Sequence, residues 1–233
     1  MKKEQSDGLH KQHRQRMKKR YLEQGLDSFE PHNILELLLF YGIPQKDTNP
    51  LAHELLNHFG SLSEVFDAPY EELCSLKGMG ENSAVLLKLI PDLCRAYSID
   101  RAVKEHEPLD NVSKLVAYIS PYFLGRTMEE IYLLFLDSAL CPIRCSKIGE
   151  GDPDSSVFQL QELVRLTFGK NCKRLVLAHN HPKGLSLPSN SDCTVTHWLI
   201  HALRPLEIEL VDHIIIAQDG GSSIRELHSD LWL

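Results

Sequence analysis

Residues 175–192, Leu-Val-Leu-Ala-His-Asn-His-Pro-Lys-Gly-Leu-Ser-Leu-Pro-Ser-Asn-Ser-Asp, gather the side chains best suited to chemistry. The apolar run Leu175 to Ala178 predicts a short buried strand. His179 and His181 follow it two residues apart, so on a strand both imidazoles project from one face. On a helix the same spacing would splay them by about 200°. Pro182 has no N–H to continue a ladder and ends the strand, and Gly184, Pro188 and Ser189 make a loop. Asp192 then arrives at the start of an amphipathic segment. Two imidazoles on one face and a carboxylate returning across a turn give three metal ligands with a fourth position open, the arrangement of catalytic rather than structural zinc. Two plainer roles fit parts of the same string. Ser189-x-x-Asp192 is also a helix capping box, and a histidine pair at a strand end can be a hydrogen-bonded polar patch.

Taken whole, His-x-His, seven residues, then Ser-x-x-Asp resembles the JAMM signature of the MPN/JAB metalloprotease superfamily, and HNHPKG followed by PSNSD resembles its bacterial RadC branch. The resemblance implies that His179, His181 and Asp192 bind one zinc ion and that Ser189 helps to stabilise the transition state. It implies a metallopeptidase or isopeptidase acting on a peptide or isopeptide substrate. Cys193, beside Asp192, has no role in that pattern and reads as a small buried hydrophobe. The letters His-Asn-His are consecutive here, unlike a nuclease motif, which spreads its residues over a hairpin and helix.

A zinc hydrolase also needs a general base. In RadC-like chains a glutamate follows, by about ten residues, the Leu-Asp that closes the first strand. Here that pair is Leu136-Asp137, and counting forward reaches Ser146 or Lys147, neither of which can serve. Glu150 shares strand parity with Ser146 but stands about 13 Å further along. Three outcomes follow: Glu150 acts after local rearrangement, another group acts, or the domain binds metal without hydrolysing peptides. Glu129, Glu130 and Glu162 are the other upstream acids, on a strand start and a helix. Asp212-His213, inside the last long strand, reads as support for the site or as structural.

A length of 233 residues with 42% hydrophobic and 24% charged content describes an ordinary globular protein of one large or two modest domains. No apolar run is long enough to span a membrane, and no apolar segment follows the basic start, so no secretory signal is expected. Six cysteines without a CxxC read as reduced thiols of a bacterial cytoplasm. A net charge of −7 argues against a protein coated in nucleic acid. Residues 1–20, however, hold eight Lys or Arg against Glu4 and Asp7, and read either as a basic arm that tracks phosphates or as a solvated tail.

The expected fold has two domains. An all-α N-terminal domain over 21–98 follows the arm, with helices at Ile34–Tyr41, from Pro50 to Phe59, and through 61–97. Within it, Leu76-Lys77-Gly78-Met79-Gly80 resembles the turn of a helix-hairpin-helix module, which makes Lys77, Gly78 and Gly80 candidates for weak, sequence-independent DNA binding. The stretch from His10 to Tyr97, including Leu-Leu-Leu-Phe-Tyr-Gly-Ile-Pro, also resembles the N-terminal part of RadC proteins. A polar linker is expected over 99–110. Beyond it, 111–233 alternates helices and strands: an α/β or α+β domain of MPN/JAB type, its mixed sheet flanked by helices. A helix is expected over Phe158–Phe168. A rival function is a DNA-associated protein, in a repair or recombination setting, whose zinc domain folds or recruits without cleaving.

Overall fold

The structure, a computed structural model, describes residues 2–44, 46–104, 107–151 and 172–233. The helix expected over Phe158–Phe168 and the acid Glu162 lie outside the described residues. The chain divides into two compact units, Met1–Leu93 and Cys94–Leu233. Among the described residues no helix is long and apolar enough to cross a membrane.

The first unit is helical: α1 (Lys2–Gln24), α2 (Pro31–Gly42), α3 (Asn49–Phe59), α4 (Leu62–Asp67), α5 (Tyr70–Ser75) and the start of α6 (Glu81–Lys104). Leu35, Leu39, Leu55, Val65, Leu73 and Leu87 are fully buried at its centre. Residues 2–20, within the expected basic arm, lie in helix α1, which packs on α2. Arg14 donates to the carbonyls of Phe40, Ile43 and Lys46 at 2.5–3.1 Å while its guanidinium lies 4.5 Å over the Phe40 ring. A cation capping the carbonyls at a helix C-terminus is favourable for both hydrogen bonding and dipole. Arg20 is likewise bonded to Ser28. Of the expected linker over 99–110, residues 99–104 form the end of α6. Ile99 and Ala102 pack on the core of the second unit, and that burial favours helix over a polar connector.

The second unit holds a five-stranded mixed sheet in the order β2-β1-β3-β4-β5. Its strands are β1 (Glu130–Leu136), β2 (Pro142–Glu150), β3 (Arg174–His181), β4 (Glu209–Ala217) and β5 (Gly220–Ser223). Only β3 and β4 are parallel, joined by helix α8 (Asn190–Leu203). Helix α7 (Val112–Phe123) covers one face, where Ile119, Leu134, Val176 and Ile214 are fully buried. α8 covers the other, where Leu133, Phe135, Leu175, Leu177 and Leu199 are fully buried. A sheet covered on both faces needs near-continuous apolar strands, which is why β1 is buried along its whole length. The chain closes with a short helix α9 (Ile224–Leu227) and a final 3₁₀ turn.

Candidate metal centre

The last residues of β3 and the first turn of α8 meet at one end of the sheet. His179 pairs with Ile131 on one side and Ile215 on the other, so its ring faces α8 with the core side chains of that layer. His181, two residues on, faces the same way and carries 19% side-chain exposure against 0% for His179 and 2% for Asp192. The centre is therefore open on the His181 side alone. Asp192 Oδ1 lies 3.1 Å from His179 Nε2, and the two imidazole Nε2 atoms are 2.9 Å apart. Among the described residues this is the one group of three such side chains whose donor atoms converge, all within 4.8 Å.

Hydrogen bonds fix which ring nitrogens are available. Thr196 Oγ1 donates to the Asp192 carbonyl at 2.6 Å, so it can only accept from His213 Nδ1, also 2.6 Å away. His213 then carries its proton on Nδ1, and its Nε2 accepts from His179 Nδ1 at 2.8 Å. His179 Nε2 is left as the nitrogen that faces the cluster. His213 is fully buried, and desolvation together with the neighbouring His179 holds its pKa well below the ordinary value, so it stays neutral in this chain. On the other ligand, His181 Nδ1 donates to the Leu185 carbonyl at 2.9 Å, and its Nε2 likewise turns to the cluster. Such supporting bonds are how proteins orient metal-binding histidines.

The capping box and the ligand set share Asp192. Ser189 is the N-cap of α8, accepting from Asp192 N at 3.1 Å. In return Asp192 Oδ2 accepts from the Ser189 N–H at 2.8 Å and from its hydroxyl at 2.7 Å. Oδ2 is thereby occupied and Oδ1 is left for the imidazoles. Burial pushes the Asp192 carboxyl up, yet His179 and the Ser189 donors outweigh it and hold the group well below the usual carboxylate range. Two Nε2 lone pairs and a carboxylate in mutual contact require one positive charge among them, a proton or a cation. A borderline divalent ion suits two imidazoles and one carboxylate.

Glu150 is not part of this group. The expectation that it shares a face with Ser146 assumed an unbroken strand. In β2 the register slips: Tyr132 pairs with Lys147 but Ile131 with Gly149, leaving Ile148 unpaired. The extra residue inverts the alternation beyond it. Glu150 therefore pairs with Glu130 and joins Lys147 in an ion pair on the α7 side of the sheet, its side chain 70% exposed. Ser146 does lie on the imidazole face, but at the level of Leu133 and Leu177, one pleat repeat below His179. A carboxylate that lines a cleft together with His181 is that of Glu129. It precedes β1 in phase with Ile131, the partner of His179. Its carbonyl accepts from Gly151 N at 2.8 Å, extending the ladder one step. With His181, Thr127, Met128, Pro182 and Lys183 it lines a cleft of about 540 Å³.

Asp212 and His213 divide their roles. His213 supports His179, whereas Asp212 ties β4 to the chain end, accepting from Ser223 Oγ at 2.7 Å and from the His213 and Arg225 N–H groups. In the first unit, Lys77, Gly78 and Gly80 sit exposed in the turn before α6. Gly78 has φ +102° and a Cβ at Gly80 would meet nothing within 4 Å.

The chain is similar to known proteins over both of its units. Residues 109–229 match the RadC-like JAB domain, and residues 10–85 the UPF0758 N-terminal family. A UPF0758 protein of Fusobacterium nucleatum subsp. nucleatum is 34% identical over 220 residues, covering 92% of this chain and 95% of that one.

Proposed function

The chain belongs to the RadC family, and from that premise we propose that its second unit is a zinc-dependent hydrolase of peptide or isopeptide bonds, with Glu129 as the proton acceptor. The observation that carries this reading is the convergence of His179 Nε2, His181 Nε2 and Asp192 Oδ1 beside a cleft that Glu129 and His181 line together. Zinc held there would polarise the scissile carbonyl and acidify water. The other work falls to the chain. Thr196 and His213 hold His179 in its ligating tautomer, Leu185 does so for His181, and Ser189 aims Asp192. Glu129 takes the proton of the attacking water and passes it to the leaving nitrogen. Ser189, whose hydroxyl proton goes to Asp192, acts in this reading through that carboxylate rather than on the oxyanion.

Protein purified without chelator should contain about one zinc per chain, and His179→Ala with His181→Ala should remove it. Against a panel of peptides and isopeptides, Glu129→Gln should lower the rate by about 10²–10⁴-fold, the usual range for general-base assistance. Glu150→Gln should leave it near wild type. An active Glu129→Gln enzyme, or activity lost in Glu150→Gln, overturns the assignment of the base.

A second reading, weak duplex DNA binding by the first unit, is favoured by the exposed Lys77-Gly78 turn and the open surroundings of Gly80. Its affinity would fall steeply with salt, by about 0.9 in log K per phosphate contacted for each log unit of salt, and would be lost in Gly80→Glu. No binding at low salt rejects it.

A further inference from the structure

The outer face of α8 carries two imidazoles that the proposed reaction does not use. His197 and His201 stand one turn apart, both exposed, with their rings at 71° and their Nε2 atoms 3.1 Å from each other. Side chains four apart on a helix lie over adjacent turns of one face, so the backbone itself sets their spacing. Bonds from zinc to imidazole nitrogen are about 2.0–2.1 Å, and two of them to donors this far apart enclose an angle of about 100°. That lies between the octahedral and tetrahedral values. The pair already has the bite of a two-toothed chelate.

We propose that His197 and His201 form a second, surface site for a divalent transition-metal ion, distinct from the buried His179–His181–Asp192 centre. Imidazole pairs at this helical spacing ligate zinc in metalloprotease helices, and nitrogen donors select nickel, copper and zinc over calcium and magnesium. Water fills the remaining positions, because both rings face solvent. In the metal-free pair one N–H points at the other ring's lone pair, and the ion replaces that single proton. The plainer alternative, a hydrogen bond between two neutral rings with no affinity for metal, has the same resting geometry. A titration separates the two.

The probe is nickel(II), and the protein carries no affinity tag. In the His179→Ala, His181→Ala background, which lacks the buried centre, calorimetry should find one nickel per chain. Adding His197→Ala and His201→Ala should abolish it. Trp198, adjacent to His197 and 45% exposed, supplies an optical readout: copper(II) should quench its fluorescence in the first protein and not in the second. Added nickel should also raise the melting temperature of the first protein only. Each protein is there compared with itself, so a stability change from the substitutions does not confuse the result. Equal nickel binding with and without the outer histidines overturns the site, as does the absence of binding in the first protein at millimolar nickel.

Discussion

Two nitrogen lone pairs 2.9 Å apart repel one another unless something positive lies between them. At the level of single residues this is the central fact about His179 and His181, and it follows from Thr196 for the first and from the Leu185 carbonyl for the second. Because the Thr196 hydroxyl has one proton and gives it to the Asp192 carbonyl, every later tautomer in the relay is determined. Thr196→Val should therefore let His213 and His179 choose other tautomers and weaken metal binding by about 10–100-fold, the usual cost of losing such support. Competition against a chelator of known affinity measures it. An unchanged affinity would mean that the rings keep their orientation without the relay. The Ser189–Asp192 box was legible in the sequence as a cap, since that role needs only the spacing, and Asp192 was legible as a candidate ligand. The supporting role of His213 was one of two sequence readings, but that of Thr196 was not legible. Nothing in the chain's order tells that Thr196, one turn after Asp192 on α8, meets a histidine of β4.

At the level of elements, apolar periodicity located nearly all the strands and helices of the second unit, but strand parity was misleading where it mattered. Ser146 and Glu150 are four residues apart and share a face on a regular strand; the unpaired Ile148 puts them on opposite faces. A bulge has no fixed sequence signature, and Gly149 beside it marks a site only in retrospect. Helix α1 escaped for another reason. Its residues are mostly polar, and among the described contacts Met17, the stacked Arg14 and Lys18, and the His13–Glu36 hydrogen bond attach it to α2. The pairing of elements is easier to test. β5 passes so close to α7 that a Cβ at Gly221 would stand 2.8 Å from both methyl carbons of Val116 and 3.0 Å from Ile216 Cδ1. Gly221→Ala should overpack this contact and destabilise the second unit by about 1–3 kcal/mol, read from urea melts. Relief in Gly221→Ala with Val116→Ala would identify the clash as the cause.

For the whole molecule, the division at Leu93 and Cys94 makes metal binding a local matter. All three ligands and the two tryptophans, Trp198 and Trp232, lie in the second unit, so tryptophan fluorescence reports its unfolding alone. A ligand bound to the folded state at a hundred times its Kd stabilises by about 2.7 kcal/mol. Stripping metal with a chelator should therefore lower the tryptophan-detected melting temperature by several degrees. Helical circular dichroism should retain a component, from the first unit, that does not move. If chelation leaves the fluorescence transition in place, the folded second unit holds no metal.

The slipped register of β2 also bears on self-association. Among the described residues β2 is an outer strand of the sheet, with one row of N–H and C=O groups that no described strand pairs. Such a row is a template on which a second molecule can extend the sheet. Two irregularities, at Ile148 and at Ile143, break the flatness that such templating needs, and Lys147 and Glu150 put charge along it. The residue that turns Glu150 away from the metal centre thus also serves solubility, and restoring an ideal strand in search of a better-placed base would carry a risk of fibrillar aggregation.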